Sequence, residues 1–392
     1  MPSKKLTVPK NFLLLLGIIF IALNLRPAIA SVGPLVSTIR IDTGLSNTLL
    51  GLLTTLPLLA FGVISTLTPL FTKRLGIEGT IFGALLLLTG GILLRVVPSD
   101  IALFSGTLFI GIAIAFGNVL LPSLVKRDFP TKSGFMTSIY SSMLGIGAAF
   151  GAGISVPLAK GAGLGWRWSL GAWALLSIIA LLIWIPQLRK QTIPKQTRSF
   201  TKSLKTLLNS KVAWHVAIFM GLQSLAFYVI LAWLPEILQD RGIGVAESGW
   251  VLSLSQATGV LGTFLIPTWA EKISNQRVIV WLLVVLEVIS LIGLMIPDAF
   301  LVGLWASLIG FSLGGSFGLA LLFIVHRTTN AETATELSGM AQSVGYLLAA
   351  IGPTLFGGIH DITGAWFLPL IMLLVVAITK LVFGLQASSS KV

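Results

Sequence analysis

One arginine stands inside the first long apolar stretch of this chain, in Ala22-Leu23-Asn24-Leu25-Arg26-Pro27-Ala28, with about a dozen uncharged residues on either side. A guanidinium keeps its proton at any physiological pH, so this position is permanently cationic. At the centre of a membrane helix it costs about 2.5–3.5 kcal/mol by insertion scales. A chain tolerates that where the group meets water, a partner or an anion rather than lipid. The chemistry on offer is recognition of an anion or planar acceptor, because the guanidinium fork presents parallel donors to two acceptor atoms at once. On a helix Arg26 shares a face with Ile19, Ala22, Ala30, Gly33 and Ser37, mostly small residues that leave room beside it. Pro27 removes the backbone donor to Leu23 and kinks the helix, freeing a carbonyl next to the charge. Asn24 lies on a different face of an ideal helix and joins Arg26 only through that kink.

Other polar side chains fall at mid-depth of later apolar stretches: Asn118, Tyr140, Gln223, Tyr228, Gln256, Gln342 and Tyr346. With Arg26 and Asn24 they form the candidate substrate-binding set. Each also reads as an ordinary bond between helices, a contribution of roughly 0.6 kcal/mol. Glu287 is the one carboxylate near the middle of such a stretch and reads as structural polar packing; Glu236 and Asp240 lie nearer an end. Catalysis finds no support. His215, His326 and His360 are far apart without metal-ligand spacing, no Gly-x-x-x-x-Gly-Lys loop exists to cradle a nucleotide, and there is no cysteine. Neither an enzyme nor a cofactor nor a metal is expected.

These groups must be positioned by membrane helices. Of 392 residues 55% are hydrophobic and 10% charged, with mean hydropathy +0.97; a soluble chain is about a quarter charged. Apolar runs long enough to span a bilayer occupy 11–38, 45–71, 77–97, 100–125, 132–159, 167–187, 212–238, 247–270, 277–297, 299–325, 333–359 and 364–386. The fold class is therefore an all-α polytopic membrane protein of twelve helices. A polar stretch at 188–211 divides it into a 1–187 bundle and a 212–392 bundle of six helices each. The first run is too long, and too charged before its Ala28-Ile29-Ala30, for a cleaved signal peptide, so a retained helix is expected.

The net charge of +13 is topogenic. With the N-terminus inside, about 20 of the 26 basic residues face the cytoplasm, Lys380 and the 188–211 loop among them, and about five, including Arg95, face outward. Both termini are expected in the cytoplasm, and nucleic acid is not an expected partner. The halves also repeat at offsets near 200 residues. Gly51 and Pro69 match Gly249 and Pro267, and Pro34 and Arg40 match Pro235 and Arg241. Gly134, Ser138, Gly147 and Gly153 recur as Gly339, Ser343, Gly352 and Gly358. A six-helix displacement preserves orientation, so the repeats are parallel.

Twelve spans, a basic central loop and parallel six-helix halves resemble the major facilitator superfamily over essentially the whole chain. The loop signature expected after the second helix is only partly present in Pro69-Leu70-Phe71-Thr72-Lys73-Arg74-Leu75-Gly76, whose usual Asp is Lys73; the second-half counterpart, Pro267 to Ser274, does hold Glu271. Leu23-Asn24-Leu25-Arg26-Pro27-Ala28-Ile29-Ala30-Ser31-Val32-Gly33-Pro34 is similar to the first helix of the cyanate permease and 2-nitroimidazole transporter family. That resemblance implies a path lined by helices one, four, seven and ten, and secondary active transport by alternating access of a small anionic or polar planar solute. The expected protein is an inner-membrane monomer whose partners are that solute and the lipid bilayer. Efflux of drug-like compounds is the alternative. Gly352-Pro353 with Gly357-Gly358 is similar to an antiporter motif displaced to helix eleven, and reads as close helix packing.

Overall fold

Lipid offers a peptide group no hydrogen-bond partner, so apolar segments of this length must satisfy their own backbones as helices. The computed structural model describes residues 12–45, 47–190, 205–296 and 301–388. Eleven helical segments within them are long and apolar enough to cross a membrane. One of these, Thr55–Leu94, is two spans. The helical run Asn47–Leu94 is interrupted at Gly76, which has φ 68° and ψ 174°. Gly111, later in the chain, packs on Pro57, whereas Gly106 packs on Gly91. Those two partners would be about 50 Å apart on one straight helix, so the chain turns back at Gly76.

The twelve spans are α1 (Phe12–Leu35), α2 (47–75), α3 (77–94), α4 (Asp100–Asp128), α5 (Ser133–Val156), α6 (Gly165–Arg189), α7 (Lys211–Gln239), α8 (Val245–Lys272), α9 (Arg277–Met295), α10 (Val302–His326), α11 (Ala331–Thr363) and α12 (Phe367–Ala387). The expected spans recur within a few residues. Positions 191–204 of the expected linker lie outside the described residues, as do Lys4, Lys5, Lys10 and Lys391 of the basic set. Leu86, Leu182, Leu261 and Val375 are among many exposed apolar side chains on the outer helix faces, as a lipid-facing surface requires.

The two six-helix halves repeat in their contacts. Between α1 and α2 Asp42 accepts from the Trp166 indole (3.0 Å) and pairs with Arg167 (2.5 Å), and these two hold its carboxyl below the usual carboxylate range, Arg167 foremost. In the second half Asp240 accepts from the Trp366 indole at 2.5 Å. At the opposite end Arg127 in the last turn of α4 pairs with the buried Glu78 of α3 (2.7 Å), and Arg327 after α10 bonds to Gln276 before α9 (2.5 Å).

The halves meet through glycine and hydroxyl pairs. A side chain at Gly134 of α5 would fall 2.5 Å from the Pro267 carbonyl of α8, and one at Gly339 of α11 2.5 Å from the Ser65 carbonyl of α2. One turn on, Ser138 bonds Thr268 (2.8 Å) and Ser343 bonds Thr66 (2.6 Å). Thr335 bonds Ser123 at 2.8 Å. Near the start of α5 the Glu271 carboxylate accepts from the Ser133 hydroxyl (2.9 Å) and the Phe135 amide (3.3 Å), an orphan donor of that helix N-terminus. Every hydrogen bond seen to join the halves among the described residues lies at Arg26 or between Arg26 and the end of the bundle where α1 begins and α6 and α7 face the linker.

Two basic residues of the topology count are buried in the bundle. Lys380 lies fully buried within α12, bonded to Glu287 of α9, and is not a charge at the cytoplasmic surface. Arg95, directly after α3, is 1% exposed and donates to the Ala28 carbonyl of α1 at 2.9 Å.

Candidate functional site

The site begins with the break in α1. Its backbone is helical over Phe12–Asn24 and again over Pro27–Ala30, with Arg26 between at φ −125° and ψ −36°. Pro27 has no N–H for the Leu23 carbonyl. Helix α5 packs tightly against the freed group: a side chain at Gly147 would lie 2.5 Å from the Leu23 oxygen, and one at Gly151 2.7 Å from Pro27 Cα. Glycine at both positions lets the two backbones approach at the kink.

The break turns the half-buried Arg26 toward the second half. Its Nη2 donates to the Tyr346 hydroxyl of α11 at 3.3 Å, and Tyr228 of α7 puts its hydroxyl against the same guanidinium. Asn118 of α4 donates from Nδ2 to Tyr346 at 3.4 Å. The Phe61 ring of α2 lies 4.8 Å from the Tyr346 ring at 55°. One cation, one amide and two phenols thus converge from both halves, and no carboxylate faces Arg26 among the described residues. With its oxygen already accepting from Arg26 and Asn118, Tyr346 has its own proton free to donate. The group is rich in donors and suits an acceptor-rich solute.

Of the candidate residues, Arg26, Asn118, Tyr228 and Tyr346 are brought together. Gln342 lies one turn from Tyr346 on α11, with its buried Oε1 unpartnered. Asn24 is not part of the group: its amide donates to Phe20 (2.7 Å) and across to the Leu176 carbonyl of α6 (3.2 Å), locking α1 into its own half. Tyr140, expected to mirror Tyr346, is buried in apolar core near Thr137. Gln223 donates to its neighbour Ser224 at 2.7 Å. Gln256 is half-buried on α8, and no hydrogen bond joins it to Arg26 among the described residues. Phe61 and Arg95 were not foreseen. Phe61 carries no local signal in an apolar helix, whereas Arg95, a charge at the edge of an apolar run, could have been flagged.

Glu287 belongs elsewhere. It pairs with Lys380 inside the second half, with the Ser312 hydroxyl 3.5 Å from the carboxylate and Lys380 Nζ 3.4 Å from the Ser316 hydroxyl. Gly352 and Gly357 pack against Leu225 and Trp233 of α7, which is the close helix packing expected of that motif.

Comparison with known proteins agrees with this architecture. A model of the Major Facilitator Superfamily matches residues 13–353. The chain is 47% identical to an uncharacterized transporter of Bacillus subtilis, YycB, over 93% of its length and 90% of that protein. It is 40% identical to the 2-nitroimidazole transporter of Escherichia coli, covering 99% of this chain and 98% of the relative. It is 28% identical to the cyanate transport protein CynX of Escherichia coli, covering 91% and 92%. Among solved structures, the Escherichia coli fucose:proton symporter FucP superposes with a TM-score of 0.77 at 14% identity, over 96% of this chain and 98% of that one, a likeness of fold. The chain is a multi-pass membrane transporter, not an enzyme, and belongs to the Major Facilitator Superfamily, in the group that includes the 2-nitroimidazole and cyanate transporters.

Proposed function

We propose that this protein is a secondary active transporter for a small planar solute bearing an anionic or strongly polar acceptor group, bound at Arg26 and moved by alternating access. The observation that carries this reading is the environment of Arg26, a cation between tyrosine hydroxyls with no carboxylate facing it among the described residues. A planar group with two acceptor atoms takes two parallel bonds from the guanidinium. Hydroxyls of Tyr228 and Tyr346 and the Asn118 amide supply further donors, and Phe61 backs the Tyr346 ring. A solute rich in donors finds few acceptors there. The names of the relatives, a 2-nitroimidazole transporter and a cyanate transport protein, fit such solutes.

In this reading the 1–187 and 212–392 bundles rock about the site, and the bonds between halves on the linker side of Arg26 hold one closed state. Both termini and the linker lie in the cytoplasm of a cell whose inner membrane holds the protein as a monomer. The test is flux of 2-nitroimidazole and of cyanate into proteoliposomes, with Arg26→Ala beside the unaltered protein. Saturable flux that Arg26→Ala abolishes is expected. Undiminished flux in well-folded Arg26→Ala would remove Arg26 from the binding role.

A further inference from the structure

We infer that Arg95, directly after α3, is a positioning residue for Arg26, clamping the break in α1. Arg95 is almost wholly buried, 1% exposed, and among the described residues its one side-chain hydrogen bond runs from Nη2 to the Ala28 carbonyl at 2.9 Å. Its Nε has no partner, and no carboxylate faces it among the described residues. A guanidinium is not left uncompensated in a membrane interior for packing alone. The bonded atom explains its retention: Ala28 lies in the single turn Pro27–Ala30 that follows Arg26, where so short a helix cannot satisfy all its carbonyls internally.

The route into the core is built from glycine. A side chain at Gly106 of α4 would fall 2.8 Å from Arg95 Cγ, and one at Gly91 of α3 2.8 Å from the Gly106 carbonyl. Close approach of α3 and α4 therefore threads the Arg95 stem between them to reach α1. The clamp acts on the segment just past Arg26, so it fixes the angle between the two arms of α1 and with it the direction of the Arg26 side chain. The inference rests on the proposed role of Arg26 in binding an acceptor solute.

The test uses two readouts. One is the affinity of purified protein for 2-nitroimidazole and for cyanate. The other is the rate at which a thiol reagent labels Gly33→Cys, an exposed position on the outer arm of α1 with no atom in the way of a side chain, in a chain otherwise free of cysteine. Arg95→Met is expected to weaken binding about tenfold, as for loss of a hydrogen bond to a charged group, and to speed labelling at position 33. Arg95→Lys, which keeps the charge and a donor, should restore part of both. If Arg95→Met fails to fold, Arg95→Gln, which keeps a polar end on a stem too short to reach the Ala28 carbonyl, is expected to move both readouts the same way. Affinity and labelling that stay within about twofold of the unaltered protein, below the loss of one such bond, would overturn the inference. If neither probe binds the unaltered protein, the substrate reading fails while the labelling rate still decides the clamp.

Discussion

The Nη2 atom of Arg26 lies 3.3 Å from the hydroxyl of Tyr346, so the cation of the first half is held by a phenol of the second. That bond spans the interface along which the two halves would part. On the proposed reading, an arriving acceptor solute would compete with it for the guanidinium, and would thereby couple its own binding to the closed arrangement of the halves.

Removing the Tyr346 hydroxyl takes away the acceptor of Asn118, one of the two hydroxyl partners of Arg26 and, on the proposed reading, one donor to the solute. Tyr346→Phe is expected to weaken solute binding by about 1 kcal/mol or somewhat more, the net worth of such bonds. Tyr228→Phe, which leaves the Asn118 amide its partner, should cost less. Titration calorimetry on the purified variants ranks them; equal affinities across the set would show that the phenols only pack.

Arg26→Lys keeps the charge and loses the planar fork. If the solute is held by two parallel bonds, an ammonium at this position cannot replace them, and transport should fall nearly as far as in Arg26→Ala. Proteoliposome flux at fixed protein content measures this. Normal flux in Arg26→Lys would reduce the site to a point charge.

The sequence made Arg26, Pro27 and the twelve spans readable because charge in an apolar run and span length are local signals. It also exposed the repeat, and the structure shows what the repeat is for. Gly134 and Gly339, with Ser138 and Ser343 one turn on, form the two crossings between halves. What could not be read was partnership at a distance. Lys380 counts in the sequence as one more cytoplasmic-side charge because its partner Glu287 is 93 positions away. Asn24, two residues from Arg26, turns to α6 because the break begins just after it, and no helical wheel carries through a break. Tyr140 and Tyr346 sit at near-equivalent positions in the repeat, yet only Tyr346 meets Arg26, since the cation occurs in one half alone.

The crossings permit a wedge experiment. At Gly339 a side chain would meet the Ser65 carbonyl at 2.5 Å, so Gly339→Val should hold α2 and α11 apart. A cysteine at Ser138, buried in the other crossing, is expected to react slowly with maleimide in the parent and several-fold faster with Gly339→Val, as the closed population falls. An unchanged rate would show that the halves close independently of this contact.

Glu287 and Lys380 form a buried pair, so removing one partner strands a charge. Glu287→Gln is expected to destabilise the protein by about 3–5 kcal/mol, whereas Glu287→Gln with Lys380→Met should recover most of that loss. Thermal unfolding in detergent orders the variants. Flux by the double variant should persist, because the pair lies apart from Arg26; its loss in folded double variant would give the pair a part in transport.

The same separation bears on coupling. Proton-coupled carriers commonly use an acid in the pathway, but no carboxylate faces Arg26 among the described residues, and Glu287 is engaged by Lys380. Arg26 has neutral hydroxyls for partners, and if the protein works by alternating access, passage through a closed, dry state without solute would desolvate an unneutralised cation. A bound anion neutralises it, and a neutral pair is cheaper to enclose than a lone charge. Reorientation should therefore be faster with the site occupied than empty. Efflux from preloaded proteoliposomes is expected to accelerate when the same solute is added outside, and to do so in the Glu287→Gln, Lys380→Met double variant as well. Equal efflux with and without external solute would mean that the empty site reorients freely, and would place the neutralising group elsewhere than in the cargo.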